Sequence, residues 1–252
     1  MLDEQLVPLP AAGRVFRGER PVRLADVDPA GRLRFDACAR YLHDVSNDDT
    51  SDAALADDGS WVVRRTIIDV TERCRFRERL QLATWCGGTG SRWAERRVSV
   101  EGAKGGRIEA ASLWVYVDVA TMLPKRLGEG FVELFGEAAN GRTIGSKLEL
   151  DGPPDPARGD ARPWPLRRTD IDVLQHVNNA AYWCALEELI AERRDLVERP
   201  HRAVVEFAKP LDLGMDVRLQ SVNESDAVRA WLTVNGTVHA SLALGSHIDP
   251  PT

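Results

Sequence analysis

The sequence predicts an α+β fold made of two similar units in tandem, each with one long helix wrapped by an antiparallel sheet. Three observations indicate this fold. Segments of the first half recur in the second half in the same order, each half has one long run with helical spacing of apolar residues, and most other segments alternate as strands do. Two such sheets can pair their edge strands, so we expect one continuous sheet.

The duplication rests on three pairs of similar segments, which occur in the same order at nearly one offset. Such an arrangement is difficult to obtain by chance. The pairs are residues 23–28 with 167–172, residues 67–82 with 204–219, and residues 108–113 with 238–243. The sequence therefore predicts a duplicated unit of roughly 110 to 145 residues.

In the first half we expect a strand, a long helix and then strands joined by hairpins. A strand over residues 20–28 runs into the turn at 29–31, and apolar spacing from Leu33 to Leu42, continued by Val45, predicts the helix. The polar residues 48–60 are expected to be a connection. Further elements are strands at 61–70, 80–85, 96–100 and 108–119, hairpin connections at 87–88 and 102–106, and a short helix at 131–135.

The Pro- and Gly-rich segment at residues 151–160 predicts a linker between the units. We therefore divide the chain into a first unit at 1–145, a linker at 146–162 and a second unit at 163–252.

Composition narrows the function. The chain has 252 residues, 43% hydrophobic residues and a net charge of −6, which is typical of a globular protein and argues against nucleic acid as a partner. No apolar run is long enough for a membrane span, and the first residues do not resemble a secretory signal. The four cysteines lack metal-type or disulfide-type spacing, so we expect no metal, no cofactor and a cytoplasmic location.

The stretch that most strongly indicates chemistry contains Asp172 and His176, followed directly by Asn178 and Asn179. Asn178 is a good N-cap for the amphipathic run that continues through Tyr182. An acid, a potential base and the N–H groups of a helix N-terminus in one turn make a hydrolytic site plausible. The alternative is that Asp172 is a turn residue and His176 a structural histidine.

The string Asp-x-x-x-His-Val-Asn-Asn-x-x-Tyr before a helix, together with the duplication, resembles the hot-dog thioesterases. The doubled form is similar to the acyl-[acyl-carrier-protein] thioesterases of plants and bacteria. The resemblance covers nearly the whole chain, including residues 61–63 and 110–115 in the first half and residues 170–182 and 205–207 in the second. It implies a tandem double hot-dog fold.

The resemblance implies hydrolysis of a fatty acyl thioester on acyl carrier protein, releasing free fatty acid. In the resemblance, Asp172 matches the catalytic acid and His176 the active-site histidine. The resemblance also implies that the first unit, which has Arg32 in place of the histidine, forms the acyl-chain pocket. The plant members carry asparagine where this chain has Leu174. They also carry a Glu-Cys pair where our alignment places Pro210 and Leu211, so a cysteine nucleophile is not expected.

Several alternatives remain open from the sequence. Asp172 acts as a general base or, less favoured, as a nucleophile, while backbone N–H groups near Asn178 and Asn179 stabilise the oxyanion. The carrier is acyl carrier protein or coenzyme A, and the basic excess at residues 64–107, with Arg167 and Arg168, mildly favours the acidic protein. A non-catalytic acyl-binding protein is the third possibility, and a homodimer is possible.

Overall fold

The structure is a computed structural model that describes residues 5–54, 59–153 and 161–246. Its helices are α1 (Phe35–Ala53), α2 (Glu129–Phe135) and α3 (Asn179–Ile190). Its strands are β1 (Val15–Pro21), β2 (Gly59–Glu72), β3 (Arg79–Thr89), β4 (Trp93–Gly102), β5 (Arg107–Asp118), β6 (Arg162–Pro163), β7 (His201–Phe207), β8 (Val217–Asn223), β9 (Ala227–Val234) and β10 (Thr237–Ser246).

The ten strands form one antiparallel sheet in the order β1-β3-β4-β5-β2-β7-β10-β9-β8-β6. The order is symmetrical about the β2–β7 pair, because β5, β4, β3 and β1 on one side correspond to β10, β9, β8 and β6 on the other. The predicted α+β class, the duplication and the continuous sheet are confirmed.

The seam between the two units is the pairing of β2 with β7. Ile67 faces Val204 across this seam, and the two residues are equivalent at the offset of 137. Two equivalent ion pairs flank them, Arg65 with Glu206 at 3.5 Å and Arg202 with Asp69 at 2.6 Å. A pseudo-two-fold axis therefore passes through the Ile67–Val204 pair.

The two long helices pack against each other on the inner face of the sheet. The ring of Phe35, at the start of α1, stacks on Trp183 of α3 with centroids 5.6 Å apart. Both helices contribute to one apolar core, which also includes Ile68 and Val205 from the seam. Burying both apolar helix faces against one curved sheet gives the two units a shared main core.

Helix α1 is longer than the sequence predicted, because the acidic residues 48–53 continue it instead of forming a connection. Tertiary ion pairs explain the difference. The carboxylate of Asp49, which is fully buried, bonds Arg14 at 2.7 Å and also pairs with Arg96. Arg14 reaches Asp52 at 2.6 Å as well. Arginines distant in the sequence thus hold a segment whose composition resembles a loop.

Two other local expectations were wrong. The Gly87-Gly88 pair lies inside β3, where the register with β4 shifts between Cys86 and Gly88. A Cβ on Gly87 would lie 2.3 Å from Cγ of Arg97, so this glycine permits close approach of a side chain rather than a turn. The strand expected at 20–28 ends at Pro21, and a short 3-10 turn over Leu24–Asp26 follows it.

The outer face of the seam is covered by an N-terminal residue and by the segment that follows α2. Leu6 and Leu150 pack on Ile67 and Val204. The Glu206 carboxylate accepts from the Leu150 N–H at 2.9 Å and from the N–H of the residue before it. Much of the predicted linker, residues 154–160, lies outside the described residues, and the division at 145 and 163 stays a prediction.

The ion pairs at the seam lead to a prediction about the stability of the fold. Arg202→Leu removes the buried guanidinium that bonds the Asp69 carboxylate, and we expect a loss of about 3 to 5 kcal/mol in the free energy of unfolding. Arg162→Leu is the control, because Arg162 pairs with Glu192 at 3.9 Å on the surface, where such a pair contributes about 0 to 1 kcal/mol. Urea denaturation measures both, and equal losses would contradict the role of the seam.

Candidate active site

Asp172 and His176 lie on one tight loop immediately before α3. Ile171 and Val177 form an antiparallel bridge that closes the loop. Inside it, the Asp172 N–H donates to the His176 carbonyl at 3.0 Å, and the Gln175 N–H donates to the Asp172 carbonyl at 3.0 Å. Gln175 takes the left-handed conformation with a φ of 65°, which this turn requires. The backbone therefore holds Asp172 and His176 opposite each other.

The Asp172 side chain is half-buried and is held on both oxygens. Its Oδ1 accepts from the Leu174 N–H at 2.9 Å, and its Oδ2 lies 3.5 Å from Nδ2 of Asn178. Leu174 contributes only its backbone to this arrangement, because its side chain is 66% exposed. Position 174 thus supports Asp172 through its backbone N–H and not through its side chain.

His176 has a carboxylate partner that sequence reasoning missed. Its Nδ1 lies 2.6 Å from Oδ1 of Asp212, and both side chains remain about half exposed to solvent. Asp212 is brought to the loop by its neighbour Leu211, whose carbonyl accepts from the Val177 N–H at 3.0 Å. In the sequence, Asp212 is indicated only by its place directly after Pro210 and Leu211, the two positions aligned with the Glu-Cys pair of the plant members.

The two asparagines have different roles. Asn178 caps α3 as predicted, since its Oδ1 accepts from the Ala180 N–H at 2.9 Å. Its own N–H donates to the Asp170 carbonyl at 2.7 Å and is therefore already engaged. Asn179 is the first residue of α3 and belongs to the turn whose N–H groups have no acceptor within the helix. Of the N–H groups near Asn178 and Asn179 that were expected to bind an oxyanion, that of Asn179 stays a candidate.

Neighbouring residues support the loop. The Tyr182 hydroxyl accepts from the Leu211 N–H at 3.0 Å, and burial raises the pKa of this phenol to about 12. Asp170 forms an ion pair with Arg167 at 2.8 Å. Burial also raises the pKa of the Cys184 thiol to about 11, which leaves it protonated and a poor nucleophile near neutral pH.

The first unit contains the same loop with different side chains. Val27 and Leu33 close it, the Asp28 N–H donates to the Arg32 carbonyl at 2.9 Å, and Gly31 has a φ of 80°. Each feature repeats the second loop at an offset of 144. The backbone of the duplicated unit has been kept while its chemistry has changed.

In this first loop an ion-pair cluster takes the place of the second loop's acid and histidine. Arg32 is 6% exposed and bonds Asp28 at 3.2 Å. Its two terminal nitrogens also reach the Glu187 carboxylate of α3 at 3.2 and 2.5 Å. The Phe35 N–H donates to the same carboxylate at 2.6 Å. Asp28, Arg32 and Glu187 are thus engaged with one another, so we expect no hydrolysis at this loop.

A cavity of about 110 Å³ lies within the first unit, between α1 and the sheet. Four of its eleven lining residues are aromatic, and we call it the aromatic cavity. Tilted ring contacts of 5.2 and 5.0 Å connect Trp61 to Phe131 and Phe131 to Phe135, so α2 forms one wall. The lining residues are Ser46, Asn47, Thr50, Trp61, Cys86, Ala94, Glu95, Arg96, Trp114, Phe131 and Phe135.

The length of α1 explains why the cavity lies in the first unit. Helix α1 has 19 residues and α3 has 12. At the offset of 144, the last residue of α3, Ile190, corresponds to Ser46, so Asn47 and Thr50 lie on a part of α1 without a counterpart in α3. The cavity is therefore a feature of the first unit that the duplication alone does not generate.

In the described ranges, no group of three or more His, Cys, Asp or Glu side chains is arranged to hold a metal ion. None of the helices at residues 5–54, 59–153 and 161–246 combines the length and apolar character that crossing a membrane requires.

Comparisons with solved structures agree with this architecture. The 12:0-ACP thioesterase of Umbellularia californica superposes with a TM-score of 0.74 at 19% identity, covering 92% of this chain and 96% of that one. A putative oleoyl thioesterase of Lactobacillus plantarum gives 0.77 at 18% identity, covering 96% and 100%. These similarities show a shared double hot-dog fold, as the sequence predicted.

Sequence comparisons give the family. An uncharacterized protein of Mycobacterium tuberculosis is 33% identical over 244 residues, covering 96% of both chains. The chloroplastic dodecanoyl-[acyl-carrier-protein] hydrolase of Cinnamomum camphora is 24% identical over 246 residues, covering 88% of this chain and 62% of that protein. Models of the acyl-ACP thioesterase N-terminal and C-terminal domains match residues 13–135 and 155–243. The chain belongs to the acyl-ACP thioesterase family and is a thioester hydrolase.

Proposed function

We propose that the protein hydrolyses fatty acyl thioesters carried by acyl carrier protein and releases the free fatty acid. The observation that carries this proposal is the pair of Asp172 and His176 in the second unit, supported by Asp212, in a chain whose first unit has an aromatic cavity. The second unit supplies the reacting groups, and the first unit supplies the acyl-chain pocket.

In the proposed reaction Asp172 acts as general base on a water molecule that attacks the thioester carbonyl. The N–H of Asn179 donates to the oxygen as it becomes negative, helped by the positive end of the α3 dipole. The thiolate is a good leaving group and needs little acid assistance. Direct attack by Asp172, giving a transient anhydride, is the less favoured route because Leu174 and Asn178 hold both carboxylate oxygens.

Asp212 prepares His176 for this reaction. A carboxylate only accepts hydrogen bonds, so Asp212 selects the tautomer with the proton on Nδ1 of His176. The other nitrogen, Nε2, is then an acceptor that can orient the attacking water. Asp212 thus holds His176 as the carboxylate of a catalytic triad holds its histidine.

Charge and family support acyl carrier protein as the carrier. Arg167 and Arg168 are exposed beside the loop and can meet the acidic surface of a carrier protein. The basic run at 64–107 contributes less than its sequence indicated, because Arg65 and Arg97 are buried. The matched dodecanoyl-[acyl-carrier-protein] hydrolase supports the same carrier. Coenzyme A is the alternative, and the assay below separates the two.

The first prediction from the proposed reaction concerns Asp172. Asp172→Asn should lower kcat by about two to four orders of magnitude, because the amide cannot take a proton from water. Free thiol release from C8 to C18 thioesters of acyl carrier protein and of coenzyme A measures the effect and identifies the carrier. Asp28→Asn, at the equivalent position of the first loop, is the matched control and should keep wild-type turnover.

Wild-type turnover in Asp172→Asn would contradict the assignment of the site. If neither the wild type nor the variant releases thiol while both bind acyl ligand, the protein is an acyl-binding protein instead.

A second prediction concerns Asp212. In Asp212→Asn the amide can donate to Nδ1 of His176 and so favour the wrong tautomer, and we expect kcat to fall by about tenfold or more. Asp216→Asn removes a nearby carboxylate that is 74% exposed and should change nothing. The same thiol-release assay measures both, and unchanged kcat in Asp212→Asn would show that His176 does not need this partner.

A third prediction concerns the cavity. Thr50→Phe places a ring in the space between α1 and the aromatic wall, so hydrolysis of the longest accepted acyl chain should fall by roughly tenfold or more relative to shorter ones. Thr50→Val keeps the side-chain volume and should preserve the wild-type chain-length profile. An unchanged profile in Thr50→Phe would place the acyl chain elsewhere.

A further inference from the structure

The two loops differ in what the helix of the other unit presents to them. In the first loop, Glu187 reaches across from α3 and bonds Arg32, beside Asp28. At the offset of 144 that relates the two loops, Asp28 corresponds to Asp172 and Glu187 corresponds to His43 of α1. The pseudo-two-fold axis therefore directs His43 towards the second loop, as it directs Glu187 towards the first.

The surroundings of His43 agree with that placement. Its ring packs edge-on against Trp114 with centroids 5.7 Å apart, and Trp114 lines the aromatic cavity. Ser46 and Asn47, one helical turn further along α1, line the same cavity. His43 thus lies next to the first unit's cavity, on the helix that forms one of its walls.

Two carboxylates act on the His43 imidazole. Burial lowers its pKa, and the charges of Asp44 on the same helix and Asp172 on the second loop oppose that shift. Burial dominates, so the imidazole is neutral at physiological pH. Trp114, packed against it from β5, carries no charge.

A neutral imidazole is the chemically suitable group beside a general base. A carboxylate such as Glu187 would repel the Asp172 charge at this position, and an arginine would pair with it and reduce its basicity. A neutral imidazole can hold a water molecule by hydrogen bonds without either effect.

We propose that His43 is a positioning residue of the active site, contributed by the first unit, which holds the attacking water against Asp172 where the acyl chain enters the cavity. The inference rests on the proposed function of the Asp172 loop. The residue acts through Asp172 and the water, and its ring is held in place by the edge-on contact with Trp114.

An NMR titration tests the placement without any activity measurement. The His43 imidazole signal is assigned with His43→Gln, and its pKa is compared between the wild type and Asp172→Asn. Loss of the opposing carboxylate should lower the pKa of His43, while Asp44→Asn gives the contribution of its own helix for comparison. An unchanged pKa of His43 in Asp172→Asn would overturn the placement.

Steady-state kinetics test the role. His43→Phe keeps a flat ring against Trp114 but cannot hold water, so kcat should fall by between about 10- and 100-fold with KM nearly unchanged. His43→Gln keeps hydrogen-bonding groups and should recover part of the loss. Glu187→Gln is the matched control at the equivalent position, and it should lower Tm while keeping wild-type kcat.

The outcomes separate this inference from the proposed function. If Asp172→Asn abolishes turnover and folded His43→Phe keeps it, only the role of His43 is overturned. Equal loss in His43→Phe and His43→Gln would reduce His43 to a packing residue and would also overturn it. Wild-type turnover in Asp172→Asn would instead remove the assigned site itself.

Discussion

The register of β2 against β7 is the constraint on which the structure depends. Ile67 and Val204 form its centre, and the ion pairs Arg65–Glu206 and Arg202–Asp69 are equivalent on its two sides. A slip of one residue would turn these buried charges to the apolar inner face and the core residues outward. The same pairing fixes the two helices side by side, and Glu187 of α3 thereby reaches Arg32 in the loop of the first unit.

Duplication gave this chain two copies of one loop, and only one retains an acid and a histidine that are open to solvent. The backbone hydrogen bonds of the two loops are equivalent, down to the left-handed residue, Gly31 in one and Gln175 in the other. In the first loop Asp28, Arg32 and Glu187 satisfy one another across the axis. Burying such a cluster is costly unless every charge is paired and hydrogen-bonded, and here the helix of the other unit completes the set.

Much of the fold could be predicted from the sequence, because the spacing of the hydrophobic residues and the internal repeat both indicate the same architecture. The N-cap at Asn178 and the loop before α3 were predictable for the same reason. The end of α1 was not, since Asp49 is held by arginines 35 and 47 residues away. Asp212 lies 36 residues beyond His176 and belongs to no motif, so only the packing of Leu211 against Val177 reveals it.

The differences between this sequence and the plant pattern argue less strongly against hydrolysis when the structure is considered than when the sequence is considered alone. Leu174 replaces an asparagine, yet its backbone N–H holds Asp172. Leu211 stands at the aligned cysteine position, where its backbone docks on Tyr182 and Val177 and brings Asp212 to His176. A protein selected only to bind acyl chains has no need for a carboxylate that fixes the tautomer of an exposed histidine. Together these contacts favour a hydrolase with rearranged support over a site that has decayed.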